Sequence, residues 1–158
     1  MRKAVFFAGA GTIYPTIYCG KDRLEIYPET LPAIRLLVRR GYALTLVTVN
    51  HKEYKSFLQS LKDKTLPLSN YNMAKAELGK FIANNRIDPV ESFLITDGLH
   101  LKTFQNFGCR TILVLSGKGV STLNALEPQE LEGISDICKD VYMAACSVAL
   151  THSNICEW

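Results

Sequence analysis

The stretch KAVFFAGAGT, residues 3–12, decides the fold class of this chain. Its first half, residues 3–7, is an apolar run, and its second half consists of small residues. A short continuous apolar run of this kind fits a β-strand that is buried on both faces. Such a strand needs a covering layer on each side, which favours a sheet that lies between two layers of helices.

Helical and strand patterns alternate along the rest of the chain, as expected for βαβ units. Apolar residues at helical spacing predict a first helix that starts near Thr30 and stops at Gly41. The polar segment 62–72 is interrupted by Pro67 and is predicted to leave little room for another full strand. Further strands are predicted over 43–49, 92–96 and 111–115, with a weaker strand around Ile137. One predicted helix carries Tyr54 and Phe57, a second covers about 73–85, a third ends at Gly108, and a fourth begins near Val141. A loop is predicted at Gly117 and Gly119.

These patterns predict an α/β fold, a three-layer Rossmann-like parallel sheet with helices on both faces. No internal repeat, low-complexity tract or linker divides the chain. We therefore expect a single domain over residues 1–150, followed by a C-terminal tail at 151–158.

The composition is that of an ordinary globular domain, with 158 residues, 47% of them hydrophobic and 21% charged. The formal charge of +3 is small and the basic residues are scattered, so no basic stripe for a nucleic-acid backbone is expected. No apolar run approaches the roughly 20 residues that span a bilayer, and the run after Lys3 is too short for a signal peptide. A cytoplasmic protein without nucleic-acid or membrane partners is the expectation.

The five cysteines are widely separated, with no Cys-x-x-Cys pair and no Cys/His cluster at zinc spacing. We interpret them as reduced thiols. The three histidines, His51, His100 and His152, are equally dispersed, and their spacing does not resemble a metal site.

Residues that leave each strand are the candidates for a ligand site, because ligands of open α/β sheets bind beyond the carboxyl ends of the strands. The motifs in and around these positions are VFF (5–7) with GTIYP (11–15), GYAL (41–44) leading into VT (47–48), IDP (87–89), TD (96–97), and GCRT (108–111) leading into LSGKG (115–119). In order and spacing they resemble the haloacid dehalogenase (HAD) superfamily of phosphohydrolases over about residues 2–149. The resemblance is strongest to the compact subgroup that contains histidinol-phosphate and heptose-bisphosphate phosphatases, and it implies a HAD-like fold without a large cap domain.

The resemblance places the two catalytic aspartates of the family at Ala8 and Ala10. In the family the first aspartate attacks phosphorus, and the second donates a proton to the leaving group and then activates water. A methyl group can do neither, so both the nucleophile and the acid/base group are missing by this route.

Magnesium binding is affected in parallel. The family holds Mg²⁺ with the nucleophile carboxylate, a backbone carbonyl at the second position and acids after the fourth strand, and Mg²⁺ prefers such hard oxygen ligands. Asp97 remains as a vestigial metal position. The second acid would fall at Leu101 when counted from Asp97, or at His100 when counted back from Gly108, and neither is a carboxylate. We expect no resident cofactor and at most weak Mg²⁺ binding.

The phosphate-contacting positions of the family are better preserved. Thr48 stands where its phosphate-binding hydroxyl belongs, and Asn50 could replace a neighbouring amide, although Val49 occupies the usual asparagine position. Backbone donors near Ala10, Gly11 and Val49 are expected to survive whatever the side chains are. The lysine of the family corresponds to Lys75, whereas counting back from the IDP motif points nearer to Asn72.

The glycines after the first strand also allow a dinucleotide-binding interpretation. That motif needs Gly-x-Gly-x-x-Gly that runs straight into a helix, with an acid about 20 residues further on. Only Gly9 and Gly11 fit, and the residues that follow, TIYP at 12–15, do not predict a helix start.

The hypothesis is a pseudophosphatase with a residual phosphate pocket, which binds a small phosphate-containing ligand or a protein partner. Either the acids were lost in evolution, or two aspartates of an active enzyme were replaced by alanine, which would not explain Leu101. The alternative is a Mg²⁺-dependent phosphatase of small esters such as sugar or histidinol phosphates, which requires another acid such as Asp22 or Glu25. The sequence does not indicate an oligomeric state.

Overall fold

The computed structural model of the chain describes residues 1–15, 25–61 and 63–151. Its centre is one six-stranded sheet in the order β3-β2-β1-β4-β5-β6, in which all neighbouring strands are parallel. The strands are β1 (Ala4–Ala8), β2 (Ala43–Thr48), β3 (Leu68–Asn72), β4 (Phe93–Thr96), β5 (Arg110–Val114) and β6 (Asp136–Cys138). The buried, continuously apolar run at the start of the chain is therefore a central strand, as predicted.

The helices follow the strands along the chain and cover both faces of the sheet. They are α1 (Thr30–Arg39), α2 (His51–Ser60), α3 (Leu78–Asn84), α4 (Leu101–Asn106), α5 (Gly119–Ala125), α6 (Pro128–Glu132) and α7 (Val141–Thr151), with a 3₁₀ turn at Pro89–Glu91. The predicted α/β fold class, a three-layer Rossmann-like sheet without a large cap domain, is confirmed.

Two hydrophobic cores lie on opposite faces of β1, because successive side chains of a strand point in opposite directions. Val5 and Phe7 pack in one core with residues of α1, α2 and α7, and α1 also packs against α7. Ala4 and Phe6 pack in the other core with residues of α3 and α4. Burial on both sides explains why β1 has no polar residue.

The expectation that segment 62–72 lacks a full strand is wrong. Leu68–Asn72 forms β3, which pairs in parallel with β2 from Leu44↔Leu68 to Thr48↔Asn72. Pro67 precedes this strand and does not interrupt it, and an edge strand tolerates polar residues because part of it faces solvent. Tyr71 is the buried residue of the strand, and its ring packs against Phe81 of α3.

Two other predictions need correction. The helix expected over about 73–85 begins only at Leu78, because the Asn72 side chain accepts a hydrogen bond from the Ala74 backbone N–H at 2.9 Å and holds the preceding residues in a turn. The loop expected around Gly117 leads into α5 at Gly119, and α6 follows, so the helical content of this region was missed.

The domain boundary stays a prediction. α7 ends at Thr151, and residues 152–158, the rest of the predicted tail, lie outside the described residues together with His152 and Cys156. Within the described ranges, Cys109, Cys138 and Cys146 are free cysteines, whereas Cys19 falls outside them. None of the described helices is long and apolar enough to cross a membrane.

Candidate functional site

The loop that follows β1 forms a tight turn at the carboxyl edge of the sheet. The backbone N–H groups of Thr12 and Ile13 both donate to the Gly9 carbonyl at 3.1 Å, and the Gly11 N–H donates to the Tyr14 carbonyl at 2.6 Å. Gly11 has φ +84°, a left-handed conformation that glycine adopts without strain. The Gly11 N–H, one of the expected phosphate donors, is therefore engaged within the turn.

Residues 11–15 of this turn are not helical. The first described helix after β1 is α1, which begins at Thr30. A dinucleotide-binding turn places the pyrophosphate at the N-terminus of the helix that directly follows the strand. The geometry around Gly9 and Gly11 therefore does not support the dinucleotide-binding interpretation, although the strand order of the sheet is that of a classical Rossmann fold.

Ala8 and Ala10 lie at the edge where ligands of open α/β sheets bind. Ala8 is the last residue of β1 and is 1% exposed, and Ala10 is half-buried in the turn. Both positions carry only a methyl group, so neither supplies a nucleophile, a proton or a metal ligand through its side chain.

Asp97 follows β4, which pairs with β1 on the side opposite β2. It is 2% exposed. Its carboxylate Oδ2 accepts a hydrogen bond from the Lys118 backbone N–H at 3.0 Å. Its backbone is held as well, because its N–H donates to the Thr12 hydroxyl at 3.1 Å and its carbonyl accepts from the Thr122 hydroxyl at 2.8 Å. The Oδ1 atom is buried and has no hydrogen-bond partner.

Two glycines pack directly against this carboxylate. A Cβ on Gly11 would overlap with Asp97 Oδ2, and a Cβ on Gly117 would lie 2.7 Å from the same atom. The Ser116 hydroxyl donates to the Gly11 carbonyl at 2.7 Å and ties the two loops together. Ligands of open α/β sheets usually bind in the crevice where the strand order reverses, which here lies between β1 and β4. The backbone of Gly11 and Gly117 packs on the Asp97 carboxylate and narrows this crevice.

Burial dominates the electrostatics around Asp97. It raises the pKa of the Asp97 carboxyl, and the hydrogen bond from the Lys118 N–H opposes this rise only in part. Burial lowers the pKa of His100, while the Asp97 charge acts in the other direction. The pKa of Tyr27 is raised by burial and further by the negative charges of Asp97 and Glu29.

The candidates for a second acid after β4 do not supply one. Leu101 is the first residue of α4 and is buried, and His100, half-buried, precedes the helix in a left-handed conformation with φ +68°. Within residues 1–15, 25–61 and 63–151, no group of three or more His, Cys, Asp or Glu side chains could hold a metal ion.

Thr48 and Asn50 lie at the carboxyl end of β2, as predicted, and both are engaged locally. The Thr48 hydroxyl donates to the Asn70 side-chain oxygen at 2.7 Å. Asn50 caps α2, and its side-chain oxygen accepts from the Glu53 N–H at 2.8 Å. Whether either residue contacts a phosphate stays a prediction.

Lys75 lies in the turn after β3 and is exposed. It lines a surface depression together with Tyr71, Thr103 and Phe107, on the side of the sheet that α3 and α4 cover. Asn72, the alternative position for the family's lysine, ends β3 and holds this turn through its side chain. The phosphate-binding role of Lys75 also stays a prediction.

One pair of side chains at this edge was not predicted from the sequence. The Tyr14 hydroxyl donates a hydrogen bond to Glu53 Oε1 on α2. A Cβ on Gly9 would overlap with the Tyr14 hydroxyl and would lie 2.7 Å from Glu53 Oε1, so the pair lies directly against the residue between Ala8 and Ala10. The signal for it was partial, because Asn50 and Glu53 have the spacing of a capping box, which predicts that the carboxylate turns back to its own helix.

Comparison with known proteins defines the fold. No protein-family model matches the sequence, and no curated protein is significantly similar to it. Among solved structures, the D,D-heptose 1,7-bisphosphate phosphatase from Burkholderia thailandensis is similar over 96% of this chain and 100% of its own, with a TM-score of 0.74 and 23% identity. The D,D-heptose 1,7-bisphosphate phosphatase from B. bronchiseptica, complexed with magnesium and phosphate, is similar over 96% of this chain and 99% of its own, with a TM-score of 0.71 and 16% identity.

A HAD phosphatase from Thermococcus onnurineus is similar over 92% of this chain and 97% of its own, with a TM-score of 0.67 and 13% identity. The structural neighbours are thus HAD phosphatases, and the resemblance seen in the sequence is confirmed at the level of the fold. Identities this low leave the chemistry of the site to be argued from its own residues.

Proposed function

We propose that this chain is a catalytically silent protein with a HAD-like phosphatase fold, a pseudophosphatase with a binding or regulatory role. The observation that carries the proposal is the pair Ala8 and Ala10 at the carboxyl end of β1, where the fold leads us to expect catalytic carboxylates. Without them the site lacks the groups that would attack phosphorus and transfer a proton.

The surroundings of Asp97 support the same conclusion for magnesium. The ion prefers near-octahedral oxygen coordination and one or two carboxylates, with room for several water molecules. Here one oxygen of Asp97 accepts from the Lys118 N–H, and Gly11 and Gly117 pack against the carboxylate. The buried Oδ1 atom remains as a single unpaired oxygen. These residues do not fit a magnesium site, so no step of a reaction is assigned to the ion.

The proposed ligand is a small phosphate-containing molecule or a protein partner that contacts the carboxyl edge of the sheet. Asn50 retains an amide NH₂ group that can donate while its oxygen caps α2. The Thr48 hydroxyl would have to turn away from Asn70 to donate to a ligand. A cytoplasmic location is part of the proposal, and it rests on the sequence alone.

A Mg²⁺-dependent phosphatase of small phosphate esters is the second candidate, favoured by the near-complete overlap with heptose-bisphosphate phosphatases. It requires a carboxylate that replaces the missing ones. Asp22 lies outside the described residues, and Glu25 is exposed. Two described carboxylates contact the loop after β1, Glu53 at Gly9 and Asp97 at Gly11.

Phosphate release distinguishes the two candidates. We would assay sugar phosphates, histidinol phosphate and an aryl phosphate with Mg²⁺ on the unchanged protein, on Ala8→Asp/Ala10→Asp, and on Ala8→Asn/Ala10→Asn as a control of equal size. The proposal expects no turnover by the unchanged protein or by the asparagine control. Turnover by the unchanged protein would overturn it.

The restored variant then shows how far the site has diverged. Turnover by Ala8→Asp/Ala10→Asp alone would mean that the rest of the pocket is intact and that the acids alone were lost. Thermal unfolding with a phosphate compound and Mg²⁺ tests binding independently, since a ligand that binds the native state raises the melting temperature. No shift with any phosphate compound would exclude the small-molecule version and leave a protein partner.

A further inference from the structure

We propose that the Glu53 carboxylate is an internal anion that lies beside Gly9 at the ligand-binding edge of the sheet and competes there with a phosphate group. This inference rests on the proposed function and names the residue that decides which ligands its site accepts. It concerns the Tyr14–Glu53 pair, which none of the expected catalytic, phosphate or metal positions includes.

The position of the carboxylate is the first argument. Glu53 Oε1 contacts Gly9, the residue between the two substituted catalytic positions. Glu53 itself belongs to the first turn of α2, which follows β2 after only two connecting residues. The carboxylate therefore lies between the end of β1 and the start of α2, at the carboxyl edge where an open α/β sheet binds its ligands.

The chemistry of its surroundings is the second argument. The carboxylate accepts from a hydroxyl donor, Tyr14, whose ring is 2% exposed and packs against Phe57 in the core. It also lies at the amino end of a helix, where the dipole favours negative charge. A phosphate oxygen would use the same kinds of donor, and two anions cannot share them without strong repulsion.

The choice of residue at position 9 is the third argument. Any side chain there would overlap with the Tyr14 hydroxyl and press on Glu53, whereas glycine leaves the space to the pair. The helix position of Glu53 predicts a carboxylate that accepts from the backbone of its own N-cap residue, and the structure differs from this. The Glu53 N–H is satisfied by Asn50, but its carboxylate is directed to Tyr14, across 39 residues of sequence.

Competition predicts that removing the negative charge opens the site to phosphate. Glu53→Gln keeps the size of the side chain, so the variant is expected to fold. Its neutral amide can turn its NH₂ group toward a phosphate oxygen and release the Tyr14 hydroxyl as a second donor. We would measure the affinity for inorganic phosphate by calorimetric titration of the unchanged protein, Glu53→Gln, and the control Glu132→Gln, which removes an exposed carboxylate on α6. We expect Glu53→Gln to bind phosphate at least about tenfold more tightly than the other two proteins.

A second readout locates the binding. In amide NMR spectra of Glu53→Gln, phosphate should shift the resonance of Gly9, while the same titration of Glu132→Gln should leave it nearly unchanged. Glu53→Ala, which removes both the charge and the acceptor, should behave like Glu53→Gln if the charge is the cause.

The outcomes separate this inference from the proposed function. Equal phosphate affinity in the unchanged protein and Glu53→Gln would overturn the competition and leave the pseudophosphatase standing. Absence of binding in all variants would overturn the inference together with the residual phosphate pocket. The proposed function itself would fail on a different observation, namely that the unchanged protein releases phosphate from an ester.

Discussion

Two carboxylates flank the end of β1, and they differ in burial and in hydrogen bonding. Glu53, on the β2 side, is half-buried and paired with the Tyr14 hydroxyl. Asp97, on the β4 side, is almost completely buried, accepts a backbone hydrogen bond at one oxygen and lacks a partner at the other. Burying a charge without full compensation costs free energy, whereas a half-buried charge keeps part of its hydration. The first arrangement suits a group that can move, and the second suits a group that holds loops together.

The largest expected effect concerns the packing around Asp97. Gly11→Ala combines a left-handed φ with a Cβ that overlaps Asp97 Oδ2, and we expect it to lower the free energy of unfolding by about 3 kcal/mol or more. Gly41→Ala is the matched control, because Gly41 has φ +83° but a Cβ there would lie 3.9 Å from Lys3 Cε, at ordinary contact distance. That variant should lose only about 1 kcal/mol. Equal losses in chemical denaturation would show that Asp97 is not tightly enclosed.

The second prediction is the pH dependence of stability that Asp97 introduces. Burial raises the pKa of its carboxyl above the ordinary value of 3.8, so the folded chain binds this proton more tightly than the unfolded chain does. The stability contributed by the protonated form is complete below the unfolded pKa and is lost as the pH rises through the folded pKa. Asp97→Asn removes this loss, so its free energy of unfolding relative to the unchanged protein should increase as the pH rises above the ordinary aspartate pKa of 3.8.

Denaturation curves at several pH values provide the test. Glu132→Gln removes one negative charge from an exposed position and serves as the control. A difference between Asp97→Asn and the unchanged protein that stays constant as the pH rises would contradict the assignment of Asp97 as a desolvated carboxylate.

A smaller effect is expected on the β2 side. Tyr14→Phe removes the hydroxyl that donates to Glu53, and we expect a loss of about 1 kcal/mol, because the half-buried carboxylate can recover part of its hydration from water. A double-mutant cycle with Glu53→Ala measures the interaction itself. A coupling energy near zero would mean that the two side chains are neighbours without a stabilising contact.

The smallest effect concerns the cap that orients the first turn of α2. Asn50→Ala removes the acceptor for the Glu53 N–H and should lower the free energy of unfolding by about 0.5 to 1 kcal/mol. Asn50→Ser restores a capping oxygen and is expected to recover most of this loss. If both variants are equally destabilised, the contribution of Asn50 lies elsewhere than in the cap.

Much of the site was predictable because parallel strands bring their carboxyl ends to one edge. Ala8, Thr48 and Asp97 lie at the ends of β1, β2 and β4, as their positions after apolar runs predicted. The strand β3 was not predictable from its polar residues, since an edge position, which tolerates them, exists only once β2 has formed. Glu53 was missed because its spacing from Asn50 indicated a helix cap. In the structure its carboxylate instead accepts a hydrogen bond from Tyr14, which is distant in sequence.

The sequence by itself determined the alternation of strands and helices, the burial of β1 on both faces, and the absence of carboxylates at Ala8 and Ala10, because these follow from residue type and spacing along the chain. Only the tertiary structure decided that Asp97 lies against Gly11 and Gly117, and that Glu53 reaches Gly9. Desolvation and close contact depend on which distant segments meet, and a spacing within one segment carries no information about that.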